Sequence, residues 1–85
     1  MLHIALTIQY EDGTEAKVTA KAANLMAFER QFNEPMAVFA DSAKLRLEWI
    51  LWLAWHTCSR EKLTPLDFDA WVDTVGGIVV GDAGK

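Results

Sequence analysis

The sequence predicts an α+β fold in which an N-terminal β-hairpin packs on a small bundle of three main α-helices. Apolar residues alternate with a period of two in the first twenty residues and change to helical spacing within residues 22–75. The chain has 85 residues, of which 52% are apolar and 24% charged, a composition typical of a single globular domain. We therefore expect one domain over residues 1–76 and a flexible C-terminal tail over residues 77–85, with a short extended piece at residues 78–80.

The hairpin is predicted over residues 2–20. Large apolar residues occupy every second position of its first half: Leu2, Ile4, Leu6, Ile8 and Tyr10. Asp12 and Gly13 then form a tight-turn pair, because glycine adopts a positive φ at no steric cost. A weaker alternation resumes in residues 15–20. Since a lone hairpin is barely stable in water, its apolar face is expected to lie on the helices.

The first two helices are predicted over residues 22–32 and 42–61. Apolar residues recur at helical spacing in the first of them. It ends before Pro35, because proline disfavours the α conformation in the preceding residue and suits the start of a short helix or turn. Asp41 or Ser42 is the predicted N-cap of the second helix.

The third helix is predicted over residues 65–75. Thr64 offers a capping hydroxyl, Pro65 fits the first helical position, and Asp67 places an acid in the first turn. A pair of glycines follows residue 75 and is expected to end the helix.

Composition excludes several classes of function. The uninterrupted apolar run of residues 49–55 would span about 10 Å as a helix, against about 30 Å for the hydrocarbon core of a bilayer. The alternation at the N-terminus does not resemble a signal peptide, so a cytosolic protein is expected. The net charge is −4 and the basic residues are scattered, which argues against nucleic acid as a ligand. Cys58 is the single cysteine, so no disulfide forms within the chain.

The sequence predicts neither catalysis nor a cofactor or metal site. His56 and Cys58 are two residues apart on a helix and point about 200° from each other, which is poor geometry for a base and a thiolate. Asp67, Asp69 and Asp73 match no known metal-binding loop, and acids near the start of a helix are favoured by its dipole alone. We expect all five side chains to be structural or solvated.

Tryptophan is unusually frequent in the second helix. Trp49, Trp52 and Trp55 share one broad face of it. Aromatic residues at helical spacing usually belong to a core. Tryptophan is also enriched at binding hot spots, and a helix that is apolar all round is difficult to cover in so small a domain. With Trp71 included, both interpretations stay open.

Three segments resemble the small tail assembly chaperones of long-tailed, siphovirus-type bacteriophages and prophages: Phe28-Glu29-Arg30-Gln31-Phe32, residues 47–56 and residues 68–75. The resemblance extends over residues 22–75 and follows an N-terminal hairpin, as in many of these proteins. It consists of packing residues and contains no catalytic signature.

The resemblance implies a non-enzymatic protein of the host cytoplasm that coats the tape measure protein, helps tail tube subunits to assemble around it, and is absent from the mature virion. In that family a translational frameshift often makes a longer product whose added domain contacts the tail tube protein. The end Ala83-Gly84-Lys85 is compatible with slippery codons. Self-association is also expected.

Five aromatic residues are predicted to form or back the protein-binding surface: Phe28, Phe32, Trp52, Trp55 and Trp71. A groove lined by such residues suits an amphipathic helix of another protein. Two other functions stay open. One is another small phage structural component, such as a connector or tail completion protein, which would remain in the virion. The other is a small helical module with a closed cavity for an apolar ligand, lined by Met26, Met36 and the tryptophans.

Overall fold

The protein is an α+β protein, as the sequence predicts. A computed structural model describes residues 3–40 and 45–83, together with the side chains of most of them. The elements in chain order are β1 (Ile4–Tyr10), β2 (Glu15–Ala20), α1 (Ala22–Phe32), a 3-10 helix (Met36–Ala40), α2 (Leu47–Arg60), α3 (Phe68–Val72) and β3 (Val75–Ala83).

The predicted hairpin is confirmed. β1 and β2 pair antiparallel from Ile4 opposite Ala20 to Gln9 opposite Glu15. In the turn, Gly13 has φ of 90°, and both the amide and the hydroxyl of Thr14 donate to a carboxylate oxygen of Asp12. These hydrogen bonds hold the pKa of Asp12 below its usual value. The turn is thus fixed by its own side chains.

The predicted flexible tail over residues 77–85 is wrong as far as residue 83. The segment Val75–Ala83 forms β3, which pairs antiparallel with β1 and gives a sheet of order β2-β1-β3. Ile78 lies opposite Ile8 and Val80 opposite Leu6, so β3 extends the apolar face of the sheet. Burial of that face offsets the entropy lost on ordering the strand. The domain therefore extends past the predicted boundary at residue 76, and residues 84 and 85 lie outside the described part.

Helix α1 occupies the predicted residues 22–32. The backbone amide of Lys21 donates to the Asn24 carboxamide oxygen over 2.9 Å and caps the start of the helix. Asn33 adopts the left-handed conformation, with φ of 54°, and ends it. A 3-10 helix follows Pro35, in agreement with the predicted short helix or turn.

Helix α2 begins later than the predicted residue 42. Arg46 is extended, and its carbonyl oxygen accepts hydrogen bonds from the amides of Trp49 and Ile50, so the helix starts at Leu47. The Arg46 guanidinium also lies over the Trp49 ring, 5.6 Å from its centroid. The predicted caps Asp41 and Ser42 lie outside the described residues.

The third helix is shorter than predicted and has a different cap. It covers Phe68–Val72 rather than residues 65–75, and the carboxylate of Asp67 caps it by accepting from the amide of Ala70 over 2.9 Å. Thr64 instead closes a separate turn, where its hydroxyl accepts from the amide of Leu66. Trp55 Nε1 donates to the Leu66 carbonyl over 2.9 Å and holds that turn against α2. The C-terminal end is early because the chain enters β3 at Val75.

The core lies between one face of the sheet and the helices. Ile4, Leu6 and Ile8 of β1 are buried on that face. Helix α2 contacts α1, α3, β2 and β3, and so occupies the centre of the helical layer. The rest of the chain covers one side of α2. A binding surface on this helix can lie only on the side that stays uncovered.

Candidate protein-binding surface

Four of the five predicted binding residues belong to one aromatic cluster. The ring of Phe28 lies 5.1 Å from that of Phe32 and 6.5 Å from that of Trp52, tilted against both, and Trp52 lies 6.1 Å from Trp55, measured between ring centroids. Phe28 and Trp52 are buried, whereas Phe32 and Trp55 are half-buried. Two of the four can therefore touch a partner directly, and two support them from beneath.

Trp71 is separate from this cluster. Its side chain is buried on α3 and meets the Tyr10 ring edge-on at 6.4 Å. Trp71 Nε1 donates to the Tyr10 hydroxyl over 3.3 Å. Burial raises the pKa of Tyr10, although the hydrogen bond from Trp71 acts in the opposite direction. Trp71 thus joins α3 to the sheet, which is the core role considered for it, and it is not available as a contact residue.

One exposed apolar surface lies where α2 faces α3. A groove of about 480 Å³ runs between α2 and α3. We call it the acidic groove, and its lining residues are Leu47, Glu48, Leu51, Phe68, Asp69, Val72 and Asp73. Leu47 is 64% exposed, a large fraction for a leucine in a folded domain.

Carboxylates border the acidic groove. Glu48 lies in the first turn of α2, Asp69 in the first turn of α3, and Asp73 is the C-cap residue of α3. All three are exposed. The groove thus combines apolar side chains with exposed acidic ones, the arrangement expected for binding an apolar segment flanked by basic residues, and we call the three carboxylates the acidic rim.

Two smaller grooves continue the surface on either side. One, of about 340 Å³, shares Glu48, Phe68 and Asp69 with the acidic groove and reaches Phe32, Trp52 and Trp55. It thereby connects the aromatic cluster to the acidic rim. The other shares Leu47, Leu51 and Val72 and continues along β3.

The surroundings of His56 and Cys58 do not favour a base and a reactive thiolate. His56 stacks on Trp52 with 5.0 Å between ring centroids, and burial followed by repulsion from Arg60 lowers its pKa. Cys58 is buried, and burial raises the pKa of its thiol despite a hydrogen bond with Tyr10. A nucleophilic cysteine needs the opposite shift, toward the thiolate.

Other classes of site find no support in the described residues. Among residues 3–40 and 45–83, no cluster of His, Cys, Asp and Glu has the arrangement of a metal site. Asp67, one of the acids considered in the sequence, is occupied as the cap of α3. Within the same part of the chain no helix has the length and hydrophobicity needed to span a membrane.

The closed apolar cavity of the ligand-binding alternative would need Met26 and Met36 in its lining. Met26 is 49% exposed on α1, so its side chain lies at the surface. The side chain of Met36 is outside the described part. The grooves next to the tryptophans are open at the surface, a shape that suits a protein segment better than an enclosed small molecule.

Comparison of the chain with models of protein families, with curated proteins and with solved structures finds no match. What the fold and the site define is a small α+β domain with an open acidic groove. The sequence pattern predicts aromatic residues at the protein-binding surface and does not identify the groove formed by Leu47, Leu51 and Val72. The feature of the sequence that indicates the groove is that apolar residues surround the axis of α2. When the tryptophans pack toward the core, part of this apolar surface stays uncovered.

Proposed function

We propose that this protein is a non-enzymatic tail assembly chaperone of a long-tailed phage or prophage, which binds helices of the tape measure protein in the acidic groove. The observation that carries the proposal is the groove itself, an open groove that the apolar residues Leu47, Leu51 and Val72 line together with three carboxylates. The resemblance of residues 22–75 to such chaperones supports the same role.

The groove suits an amphipathic helix because such a helix presents apolar side chains at intervals of three and four residues along one stripe. Covering that stripe would keep tape measure helices from aggregating until tube subunits surround them. The half-buried Phe32 and Trp55 extend the contact area at one end.

The acidic rim adds selectivity. Glu48, Asp69 and Asp73 favour helices whose apolar stripe is flanked by Lys and Arg, and they disfavour acidic segments. Exposed charges of this kind act mainly on the association rate, and salt screens them with a Debye length of about 8 Å at physiological ionic strength. Release of the helix during tube assembly needs no chemical step.

Co-expression with a tape measure protein from the same genome, followed by co-purification, tests the role. Leu47→Asp should reduce the recovered complex at least tenfold, because it places a charge among the apolar residues that line the groove while adding an acid that the helix N-terminus tolerates. Met26→Asp is the matched control, since Met26 is also an exposed apolar residue but lies on α1. Equal recovery with both variants would contradict the proposal.

A second pair of variants tests the contribution of the acidic rim to binding. Asp73→Lys should weaken tape measure binding and reduce its salt dependence, whereas Glu15→Lys makes the same change of charge on β2, away from the groove, and should leave binding unchanged.

Mass spectrometry of purified virions separates the chaperone from a connector or tail completion protein. A chaperone is absent from the particles, and a stoichiometric amount of this chain in them would refute the role.

A further inference from the structure

The two edges of the sheet differ in their protection. Within the described residues the strand order is β2-β1-β3, so β2 and β3 each leave one edge unpaired by a strand. β2 carries Glu15 and Lys17, and charged side chains are a common protection against edge-to-edge pairing. β3 carries only glycine, valine and isoleucine over residues 75–81, and its charged residue, Asp82, lies near its end. Its pairing with β1 shifts register on either side of residues 77–80, so these four residues form its regular, uncharged part.

The hydrogen-bond pattern shows which groups of β3 point to the open edge. The Tyr10 amide donates to the Thr14 carbonyl, and in an antiparallel pair hydrogen-bonded and non-bonded residues alternate. The even-numbered residues of β1 therefore bond to β2, and the odd-numbered residues Thr7 and Gln9 bond to β3. Thr7 lies opposite Val79 and Gln9 opposite Gly77.

The backbone amide and carbonyl groups of Gly77 and Val79 therefore bond to β1. Those of Ile78 and Val80 point to the open edge of the sheet. The side chains of Ile78 and Val80 face the helices, opposite Ile8 and Leu6, yet remain half-buried because the sheet ends there. Val79 points to the other face and is 53% exposed.

An apolar groove accompanies this edge. It has a volume of about 340 Å³ and lies between the start of β3 and the helices. Its lining contains no charged residue: Leu47, Leu51, Val72, Val75, Gly76, Gly77 and Ile78. The groove and the unpaired backbone groups together have the composition of a strand-pairing interface.

We propose that β3 pairs antiparallel with β3 of a second copy of this chain, which joins two sheets into one of six strands. An antiparallel strand edge is complementary to itself through a two-fold axis, and closure around that axis leaves no further edge of the same kind. With the outward backbone groups of Ile78 and Val80 bonded across the edge, the two-fold axis passes at Val79. Ile78 of each copy then lies opposite Val80 of the other, and these side chains complete the apolar layer beneath the joined sheet.

The charge distribution favours a second copy as the occupant. The chain has a net charge of −4, so most contacts between copies bring carboxylates together. Residues 75–81 and the groove beside them carry no charge, and pairing there opposes no like charges. The acidic groove is different, since a second copy would bring its own acids to that rim. This inference rests on the edge of β3 and the uncharged groove beside it, which shares Leu47, Leu51 and Val72 with the acidic groove, and it does not rest on the proposed role in tail assembly.

Sedimentation equilibrium of the full chain tests the pairing. The wild type is expected at twice the chain mass, and a chain that stays monomeric up to about 1 mM would overturn the proposal. Val80→Pro removes an amide that points outward, so it should abolish the dimer and leave the β1–β3 ladder intact. Val79→Pro removes an amide bonded to β1 and should lower the melting temperature of the domain itself.

A second variant keeps the test valid if Val80→Pro fails to fold. Val79→Lys changes a half-exposed side chain on the outer face and places two cations close together near the two-fold axis, so the dimer dissociation constant should rise at least tenfold. Asp73→Lys, which alters the acidic groove, should leave it unchanged. A dimer that resists Val79→Lys and dissociates with Asp73→Lys would place the interface in the acidic groove and overturn the inference.

The distance between spin labels on the two copies tests the geometry of the joined sheet. Lys17 lies opposite Thr7, which lies opposite Val79, so it is level with the centre of the proposed strand pair. In a six-stranded sheet, labels on Lys17→Cys in a Cys58→Ala background are separated by five strand spacings, about 24 Å between backbones. A distance distribution centred between about 20 and 30 Å supports the joined sheet, and one centred well beyond that range rejects it.

Discussion

The carboxamide nitrogen of Asn24 donates a hydrogen bond to Nδ1 of His56 over 3.0 Å, which links α1 to α2. The orientation of the carboxamide is fixed because its oxygen accepts from the Lys21 amide at the start of α1. An amide nitrogen donates only, so His56 Nδ1 must carry a lone pair and the ring proton must be on Nε2. The fold therefore holds His56 in its neutral form, stacked on Trp52.

This arrangement makes the stability of the protein depend on pH. Burial and the nearby Arg60 lower the pKa of His56 below its ordinary value of 6.5, so between the two values the unfolded chain binds the proton more readily. The contribution of neutral His56 is fully present above pH 6.5 and is lost as the pH falls through the folded-state pKa. Urea unfolding at several pH values should show the free energy of unfolding decreasing over this window.

The variant His56→Gln is the control for that prediction. Glutamine retains hydrogen-bonding capacity toward Asn24 but does not titrate, so the free energy of unfolding of the variant should be less sensitive to pH below 6.5 than that of the wild type. Identical slopes for the wild type and His56→Gln over this range would show that His56 is not the group responsible.

The second prediction concerns Phe28, which lies at the centre of the aromatic cluster. Its ring contacts Phe32, Phe39, Trp49 and Trp52, and its side chain is fully buried. Phe28→Ala should lower the free energy of unfolding by about 3–5 kcal/mol, because a large cavity forms in a small core. Leu47→Ala, at a residue 64% exposed, should change it by about 0.5 kcal/mol or less. Denaturant melts of the two variants provide the comparison, and a small effect of Phe28→Ala would mean that the cluster is not part of the core.

Patterns local in sequence predicted the hairpin and the bounds of α1, because a tight-turn pair, a helical repeat and a proline act within a few residues of where they occur. The position of β3 depends on a distant partner. The segment Val75–Gly81 contains three glycines and has the composition of a linker, and it becomes a strand because β1, more than 60 residues earlier, offers an unpaired edge.

The position of the binding surface also depends on contacts between residues that are distant in the sequence. Apolar residues surround the axis of α2, so the sequence cannot tell which of its sides the domain covers. The sheet and α1 cover the side of Trp52 and Leu53, which leaves Leu47 and Leu51 beside α3. The acidic rim combines Glu48 of α2 with Asp69 and Asp73 of α3, and spacing along the chain does not reveal that they share one groove.

The third prediction separates two candidate caps of α3. Asp67 accepts from the Ala70 amide, whereas Thr64 accepts from the Leu66 amide in the preceding turn. Asp67→Ala should therefore lower the free energy of unfolding by about 1 kcal/mol, the usual cost of losing an N-cap. Thr64→Ala should cost less, because its hydrogen bond is exposed and closes a turn only. If thermal melts showed the larger loss for Thr64→Ala, the helix would begin at Pro65 as the sequence pattern suggested.

The last prediction concerns the thiol of Cys58. It is buried on α2, and burial raises its pKa, so two effects oppose alkylation: the reagent cannot reach the sulfur, and little thiolate is present. Iodoacetamide should modify the folded protein slowly, at a rate that rises with urea in step with unfolding. Leu63→Cys in a Cys58→Ala background supplies the comparison, since Leu63 is 58% exposed and the added thiol should react at the rate of a free cysteine. Equal rates for the two thiols in the native state would indicate an open and activated Cys58, and the non-enzymatic role proposed for the protein would then need to be reconsidered.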